Sequence, residues 1–359
     1  LSSHEGECFK EVKAKLEKAA TYFEVPVIMK IALASWSPLD LFEILSLLQA
    51  VNRDRMHLLI LFRGSHGRFM RLITPLMSPQ FSFIAADSVS RTDPGQITIE
   101  ELDTIYAPFK ALKPLPIYAL LGNPIAQSKG PLFHNNRFIA QNMKGLYVSI
   151  DLEKEQALAF VEKATSAKLF HGFSITMPYK TAFVPITSTH EPINTLAYQK
   201  GQWHAVNTDG QAATELIAEH IALQGTHIVI LGTGGTAKAI ANAAKKEGMQ
   251  VTLISRSKKE VEGFQVATYA ALESLNYDVL VQATPAGFKG QKGSVELKSH
   301  YFLEGKCFLE CVQEEMTDFI KEALTKNGYV IPGRALFERQ AILQSLLWQS
   351  GQKSLSSAC

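Results

Sequence analysis

Residues 227–237, His-Ile-Val-Ile-Leu-Gly-Thr-Gly-Gly-Thr-Ala, decide the fold. Ile228 to Leu231 show no polar alternation, which reads as a strand buried on both faces in a parallel sheet covered by helices. Gly232-Thr-Gly234-Gly235 then opens a helix expected over Ala237–Glu247. Glycines let a backbone approach a pyrophosphate, and the helix N-terminus supplies free N–H groups and the positive end of its dipole. A tight strand-to-helix turn that binds nothing uses the same glycines, so this turn alone leaves both readings open. The next expected strand, Val251–Ser255, runs into Ser255-Arg256-Ser257-Lys258-Lys259. An NAD site carries an acidic residue there for the ribose hydroxyls, whereas Ser255 and Arg256 suit a 2′-phosphate. NADP is therefore expected over NAD, with Gly232, Gly234, Gly235, Ser255 and Arg256 as candidate cofactor-binding residues. A solvated basic turn accounts equally well for Lys258 and Lys259.

Around this unit, apolar runs alternate with helix-period segments along the whole chain, the α/β signature. The first 110 residues predict helices at Cys8–Phe23, Ser37–Asn52, Gly67–Met77 and Thr98–Phe109, and strands at Val25–Leu33, His57–Phe62 and Phe81–Ala86. Ser37-Pro38 is a plausible helix start, and Thr98 with Glu101 forms a capping box. Repeated β-α units with short strands fit a partial (β/α)8 barrel, about half of one. Pro114 and Pro116 make a stiff junction. Beyond it the pattern predicts strands at Ile117–Leu121, Lys144–Asp151 and Gly172–Ile175, helices at Pro131–Gln141 and 155–166, and a hairpin around Tyr198–His204. Strands at Val279–Gln282 and Cys307–Cys311 and two closing helices, 317–327 and 336–349, follow the glycine turn. The expected division is 1–113, 114–220, 221–328 and 329–359: a partial barrel, a substrate lobe, a Rossmann-type nucleotide lobe, and closing helices that return to the substrate lobe.

Composition bounds the function. The 359 residues carry a net charge of +2 with 46% apolar and 19% charged residues. Such a chain buries enough surface to offset its ordering entropy, which excludes general disorder. It has no basic excess to hold a polyanion, so nucleic acid is excluded as a main partner. No apolar run approaches about 18 residues, so no membrane span is expected. The opening Leu-Ser-Ser-His-Glu-Gly-Glu-Cys-Phe-Lys lacks both the basic and the apolar region of a signal peptide. Cys8, Cys307, Cys311 and Cys359 contain no Cys-x-x-Cys pair and suggest a reducing, cytoplasmic setting. No metal site is expected.

Three short segments concentrate polar residues at strand ends: Gly122-Asn-Pro-Ile-Ala-Gln-Ser128-Lys-Gly-Pro131, Gly172-Phe-Ser174-Ile-Thr176-Met-Pro-Tyr-Lys180 and Asn207-Thr-Asp209-Gly210. Hydroxyls, amides and one cation would hold a small polyol carboxylate, and Lys180 with Asp209 could transfer a proton beside a nicotinamide. Asn, Thr and Asp at loop starts also cap helices, an alternative these residues alone leave standing.

In their order and spacing, GNPIAQSKGPLFHN (122–135), GFSITMPYK (172–180), INTL (193–196), NTDG (207–210), GTGGTAKA (232–239) and PGRALFERQ (332–340) resemble the shikimate dehydrogenase family. The resemblance implies reversible NADPH-dependent reduction of 3-dehydroshikimate to shikimate. It implies Lys180 and Asp209 as the catalytic pair, and Ser128, Thr176, Asn194, Asp209 and Gln340 as substrate-binding residues. It also sets Gly333 near the nicotinamide and Thr284, in Gln-Ala-Thr-Pro-Ala-Gly, on the cofactor loop. Three positions depart from the family: Gly130 replaces a second serine, Gln313 a tyrosine and Ser174 an asparagine. The first two remove substrate hydrogen bonds worth about 1 kcal/mol each.

Upstream, Lys30 interrupts the apolar run Val-Pro-Val-Ile-Met-Lys-Ile-Ala-Leu. A buried lysine is costly unless paired or neutral, and a neutral amine can form a Schiff base; an internal ion pair is the other reading. His4 lies at the end of what would be the preceding strand, Arg71 follows the strand ending at Phe62, and Thr92 to Gln96 follow Phe81–Ala86. With Met-Lys-Ile-Ala, Arg71-Leu72 and Pro-Gly-Gln-Ile (94–97) in order, this stretch resembles the C-terminal half of type I 3-dehydroquinate dehydratase. The resemblance implies an imine between Lys30 and 3-dehydroquinate, proton transfer by His4, and substrate contacts from Arg71, Thr92 and Gln96. A half-barrel leaves sheet edges uncovered, so the expectation is a piece of a longer bifunctional protein, or an N-terminal half supplied separately. Two alternatives remain: a quinate/shikimate dehydrogenase preferring another polyol or NAD, and a non-catalytic NADP-binding regulator. Gly130 and Gln313 favour the regulator; the survival of Lys180, Asp209, Asn194 and Gln340 argues against it.

Overall fold

Strand residues 228–231 are buried on both faces, as their unbroken apolarity requires. Ile228 and Ile230 pack with Ile240, Leu253 and Val281, while Val229 and Leu231 pack with Leu280, Phe308 and Phe319 on the opposite face. The structure is a computed structural model that describes residues 9–19, 27–34, 36–51, 56–77, 83–111, 115–180, 182–183, 191–257, 260–287 and 297–356. Its elements begin with α1 (Phe9–Ala19), β1 (Val27–Leu33), α2 (Asp40–Val51), β2 (Met56–Phe62), α3 (Arg68–Met77) and α4 (Ile99–Thr104). They continue with β3 (Ile117–Gly122), α5 (Gly130–Ala140), β4 (Leu146–Asp151), α6 (Lys154–Ala167), β5 (Phe170–Ile175), β6 (Thr195–Gln199), β7 (Gln202–Val206) and α7 (Thr208–Ala218). The remainder is β8 (His227–Leu231), α8 (Gly235–Lys246), β9 (Gln250–Ile254), β10 (Gln265–Ala267), α9 (Tyr269–Leu272), β11 (Val279–Gln282), β12 (Cys307–Glu310), α10 (Asp318–Leu324), β13 (Tyr329–Ile331) and α11 (Gly333–Ser356).

The chain divides into two compact units. One comprises Leu1–Phe183, Ala197–Gln202 and Gly351–Cys359, the other Val184–Leu196 and Trp203–Ser350. In the first, β1 and β2 pair in parallel from Val27↔Met56 to Leu33↔Phe62. The strand expected at Phe81–Ala86 is reduced, among the described residues, to one parallel bridge between Ala85 and Thr98. The helix expected to run from Thr98 to Phe109 stops early. Thr98 caps α4 and Glu101 completes the capping box, but Pro108 has no N–H to continue the ladder and its ring would strike the preceding turn. A short 3-10 turn, Ala107–Ala111, replaces the last part.

Strands β3 to β7 form a second sheet in the order β4-β3-β5-β6-β7, with β3 parallel to both β4 and β5. Among the described residues, edge strand β4 has no strand partner on its outer side. The Asn135 side chain of α5 pairs with it there, donating to the Tyr147 carbonyl at 2.9 Å and accepting the Tyr147 N–H at 2.8 Å. The amino-terminal segment packs directly on this part of the first unit. Phe42 of α2 meets Phe160 of α6 at a centroid distance of 5.2 Å, and Gln156 Nε2 donates to Ser37 Oγ at 3.1 Å. His66 Nδ1 lies 3.3 Å from Asp151 Oδ2, where burial pushes the Asp151 carboxyl up against the opposing pull of the imidazole.

The second unit contains a six-stranded parallel sheet in the order β10-β9-β8-β11-β12-β13. Counted from β8, that is strand order 3-2-1-4-5-6, the doubly wound dinucleotide-binding arrangement. Helix α7, absent from the sequence expectation, packs on α8 at Gly210, where a Cβ would lie 2.3 Å from the Ala239 carbonyl oxygen. Among the described residues no helix is long and apolar enough to cross a membrane.

Phe160 is fully buried and also packs on Phe170 and Phe173. Phe160→Ala is expected to cost about 3–5 kcal/mol in urea unfolding. A loss below about 1 kcal/mol would mean that the cluster is not closed around it.

Candidate active site

In the second unit, three distant segments converge on one buried amide. Asn194 Nδ2 donates to Asp209 Oδ1 at 2.7 Å and to Thr208 Oγ1 at 2.9 Å. Its Oδ1 accepts the Thr208 N–H at 2.8 Å and the Thr195 hydroxyl at 2.7 Å. The Thr208 hydroxyl reaches Gln340 Oε1 at 3.4 Å, and Gln340 Nε2 donates back to the Phe337 carbonyl of its own helix at 3.0 Å. Asn194, Thr208 and Asp209 are all buried. Asn207 caps α7 by accepting the Asp209 N–H at 2.9 Å, so a capping role and a site role coexist in Asn-Thr-Asp-Gly. Gln344 Nε2 donates to the Asn194 carbonyl at 3.1 Å and Trp348 Nε1 to the Leu196 carbonyl at 3.1 Å, fixing α11 to the segment that carries Asn194.

The first unit holds Ser128, Thr176 and Lys180. Thr176 follows β5, and its N–H donates to the Leu121 carbonyl at 3.0 Å. A Cβ at Gly122 would lie 2.3 Å from Thr176 Cγ2, so only glycine lets the two strand ends meet. The turn beyond is pinned by buried Tyr179, whose hydroxyl donates to the Leu152 carbonyl, which leaves Lys180 half-buried at its end. Exposed Ser128 accepts the Gly130 N–H at 3.1 Å in the first turn of α5. A Cβ at Gly130 would meet Ser128 Oγ at 3.2 Å and the Tyr147 ring at 3.3 Å. Ser174 is buried and hydrogen-bonded to the Tyr147 phenol, whose pKa burial pushes up.

The glycine turn is built as its sequence implied. Gly232 has φ +113°, the left-handed region that favours glycine, and its N–H donates to the Ile254 carbonyl at 2.8 Å. At Gly234, the N-cap of α8, a Cβ would meet nothing within 4 Å. Open space therefore lies over a helix N-terminus, beside β9, which leads into Ser255 and exposed Arg256. Lys258 and Lys259 lie outside the described residues. Thr284 follows β11, donating through both N–H and hydroxyl to Gln282 Oε1 at 3.0 and 2.8 Å. Gly333 begins α11 against the Val312 carbonyl oxygen, which a Cβ would approach to 1.9 Å.

In the amino-terminal segment the expectations divide. Lys30 is exposed rather than buried, with its ammonium 4.4 Å from the centroid of the Phe83 ring. Among the described residues its β1 pairs with β2 alone, in a two-stranded sheet, and the exposed amine end of the side chain rests against an aromatic face. Arg71 is buried, donating through Nε to the Phe62 carbonyl at 3.0 Å and lying 3.2 Å from Asp93 Oδ1. Burial lowers its pKa, against the counteracting Asp93 charge. Asp93 also accepts the Gly64 N–H at 3.0 Å. Gln96 Oε1 accepts from the Thr92 N–H at 3.0 Å and the Thr92 hydroxyl at 3.2 Å. Thr92 and Gln96 thus belong to one clasped loop, to which Arg71 of α3 is tied through Asp93, while His4 lies outside the described residues.

Sequence reasoning passed over Thr208, Gln344, Tyr147 and Glu310. The first stood inside Asn-Thr-Asp-Gly, and its neighbours drew the attention; the others declare themselves only as buried polar groups within apolar elements.

Sheet order, glycine turn and the Asn194–Asp209 cluster define a dinucleotide-dependent α/β enzyme with an appended β/α segment. Residues 120–208 match the shikimate dehydrogenase substrate binding domain family, and residues 8–113 match the type I 3-dehydroquinase family. The chain is 28% identical to a shikimate dehydrogenase (NADP(+)) of Syntrophobacter fumaroxidans, over 65% of this chain and 87% of that one. It is 24% identical to the chloroplastic bifunctional 3-dehydroquinate dehydratase/shikimate dehydrogenase of Arabidopsis thaliana, over 88% of this chain and 57% of that one. Its fold matches the crystal structure of the Thermus thermophilus shikimate 5-dehydrogenase in complex with NADP(H) and shikimate, with a TM-score of 0.58 at 25% identity, over 66% of this chain and 94% of that one.

Asn194→Ala should cost about 1–3 kcal/mol by removing one hydrogen bond from buried Asp209 and stranding the Thr208 N–H. Asn194→Asp sets two carboxyls 2.7 Å apart. Sharing a proton, they are tolerated at pH 5, and the pair loses stability as pH rises through the carboxyl range. Thermal melts at pH 5 and pH 8 check the sign: the deficit of Asn194→Asp relative to wild type should widen at pH 8.

Proposed function

We propose that this chain reduces 3-dehydroshikimate to shikimate with NADPH, reversibly, and that its amino-terminal segment derives from a Schiff-base 3-dehydroquinate dehydratase. The observation that carries the first reading is the Asn194 cluster. It gathers Asn194, Asp209 and Gln340 from motifs up to 146 residues apart onto one set of hydrogen bonds. The glycine turn fits a dinucleotide because the backbone over α8 is open and Gly232 takes a conformation that side chains avoid. Gly232, Gly234 and Gly235 would hold the pyrophosphate, Ser255 and Arg256 the 2′-phosphate, and Thr284 and Gly333 the nicotinamide end.

When bound, NADPH supplies the reducing equivalent, and the chain's own residues do the rest. Ser128, Thr176, Asn194 and Gln340 orient the ring by its hydroxyls and carboxylate. Lys180 and Asp209 deliver the proton to the carbonyl oxygen at the carbon being reduced, and remove it from that hydroxyl in the reverse direction. Asp209 is pre-set for this because Asn194 fixes one carboxylate oxygen and burial keeps water from competing.

The same reading divides the chain into a partial (β/α)8 barrel at 1–113, a substrate lobe at 114–220, a Rossmann-type NADP lobe at 221–328 and returning helices at 329–359. Four scattered cysteines without a Cys-x-x-Cys pair suit a cytoplasmic setting. The chain spans 57% of the bifunctional Arabidopsis relative. The dehydratase reading takes Lys30 as imine-forming amine, His4 as proton carrier, and Arg71, Thr92 and Gln96 as substrate contacts, in a barrel whose other half lies outside residues 1–113.

Purified chain given shikimate should form NADPH from NADP+ faster than NADH from NAD+. Lys180→Ala should lose at least about a hundredfold in kcat, the scale of one general acid–base group, while still binding NADPH. No turnover with either cofactor, despite NADPH binding, would support a regulator instead. The dehydratase segment has its own test. With Lys30 exposed on a two-stranded sheet, dehydroquinate followed by borohydride should leave the mass of the Lys30 peptide unchanged. A substrate-derived adduct on Lys30 would show that this segment is catalytically competent in the chain as it stands.

A further inference from the structure

Strands β11 and β12 end in a pair of register partners, Gln282 and Glu310, both buried. Register partners in a parallel pair project to the same face. Each folds back the chain that follows it. Gln282 receives both donors of Thr284, as described above. Glu310 Oε1 accepts the Val312 N–H at 2.9 Å, and its Oε2 accepts the Thr317 hydroxyl at 2.7 Å. Thr317 Oγ1 in turn accepts the Ile320 N–H at 3.2 Å and so caps α10.

What these turns touch gives the carboxyl its reach. The Val312 carbonyl is the group against which Gly333 packs, and a Cβ at Gly287 would lie 3.1 Å from Thr317 Cγ2. One buried carboxyl therefore holds the Val312 turn under Gly333, the start of α10, and, through the Thr317 methyl, the 284–287 loop. A fully buried carboxylate is a costly way to close a turn, and burial pushes the Glu310 carboxyl up to about 7. It is kept at the carboxyl end of a doubly wound sheet, the edge at which such sheets bind their ligands.

We infer that Glu310 is a positioning residue for the nicotinamide end of the dinucleotide: its two oxygens set the Val312 turn against Gly333 and the 284–287 loop against Thr317, and thereby fix where the nicotinamide rests. This rests on the NADP-dependent reading above. Gln at 310 keeps the volume but turns an amide N–H₂ toward one of the two donors. Thr317→Val removes the hydroxyl and keeps a methyl, whereas Thr317→Ser does the reverse.

The experiment measures NADPH binding by fluorescence titration, with kcat and both KM values, on the full chain. Glu310→Gln should weaken NADPH binding and lower kcat by about tenfold each, the value of one buried charge-assisted hydrogen bond, while KM for shikimate stays within about twofold. Thr317→Val, which cuts the tie to Glu310, should move the same quantities in the same direction, and Thr317→Ser, which keeps that tie but loses the methyl facing Gly287, should fall between Thr317→Val and wild type. A folded Glu310→Gln with NADPH binding and kcat at wild-type level, or with only the shikimate KM moved, overturns the inference. Should Glu310→Gln fail to fold, Thr317→Val decides it alone, since wild-type cofactor binding there would overturn it equally. A wild-type chain that does not bind NADPH is a different failure, that of the dehydrogenase reading itself.

Discussion

The candidate site depends on satisfying one buried amide. Asn194 has two donors and one acceptor oxygen to satisfy away from water, and a stranded buried polar group costs as much as several good contacts return. Beside its neighbour Thr195, its partners come from the start of α7 and, through Thr208, from Gln340 of α11. Because each partner is itself buried or carried on a helix, the amide cannot be satisfied unless those helices take their places. The same hydrogen bonds that close this part of the core therefore hold Asp209 in one orientation. Stability and chemical competence share one set of atoms, so the site needs no separate scaffold.

The amino-terminal segment obeys the same rule by charge instead of by amide. Arg71 is buried, so its guanidinium needs a partner, and Asp93 supplies one while also receiving the Gly64 N–H. Glu101 does the same a turn away, lying 2.6 Å from Arg68 and 2.7 Å from Arg91 while closing its own capping box. Carboxylates that serve two arginines and a backbone turn give this segment local order without a full sheet. Lys30, which has water on one side and Phe83 on the other, is under no such constraint.

Local features were legible in the sequence wherever a residue's own backbone or periodicity carried the signal. The unbroken run 228–231, the glycine turn, the Thr98–Glu101 capping box and the junction before Ile117 each state their conformation within a few residues. The hairpin around Tyr198–His204 became β6 and β7, turning at Lys200-Gly201 with positive φ at both residues. The capping and site readings of Asn207–Gly210 looked exclusive in the sequence because each was assigned to a whole motif. In the structure Asn207 caps, Asp209 faces Asn194, and Gly210 makes room for Ala239. What the sequence concealed was nonlocal. Lys30 looked buried because its neighbours are apolar, but the burial of a strand residue is set by what covers its face, and no periodicity reports that.

Glu310 and Gln282 extend this point to the sheet's edge. In a doubly wound sheet every strand must leave its layer at the carboxyl end, and the first peptide groups past the sheet lose their ladder partners there. A polar side chain on the last strand residue can replace those partners by folding back on its own loop, and both residues do so. Such a residue is buried because the sheet is buried, and it shapes a ligand wall because the loops it folds are the ones that meet a ligand. The polar character of the 282 and 310 positions, inside otherwise apolar strands, follows from that double demand. A glutamine meets it at 282, where both donors come from Thr284 and converge on one oxygen. At 310 the donors come from Val312 and Thr317 on separate oxygens, and only a carboxylate offers two acceptors on one stem.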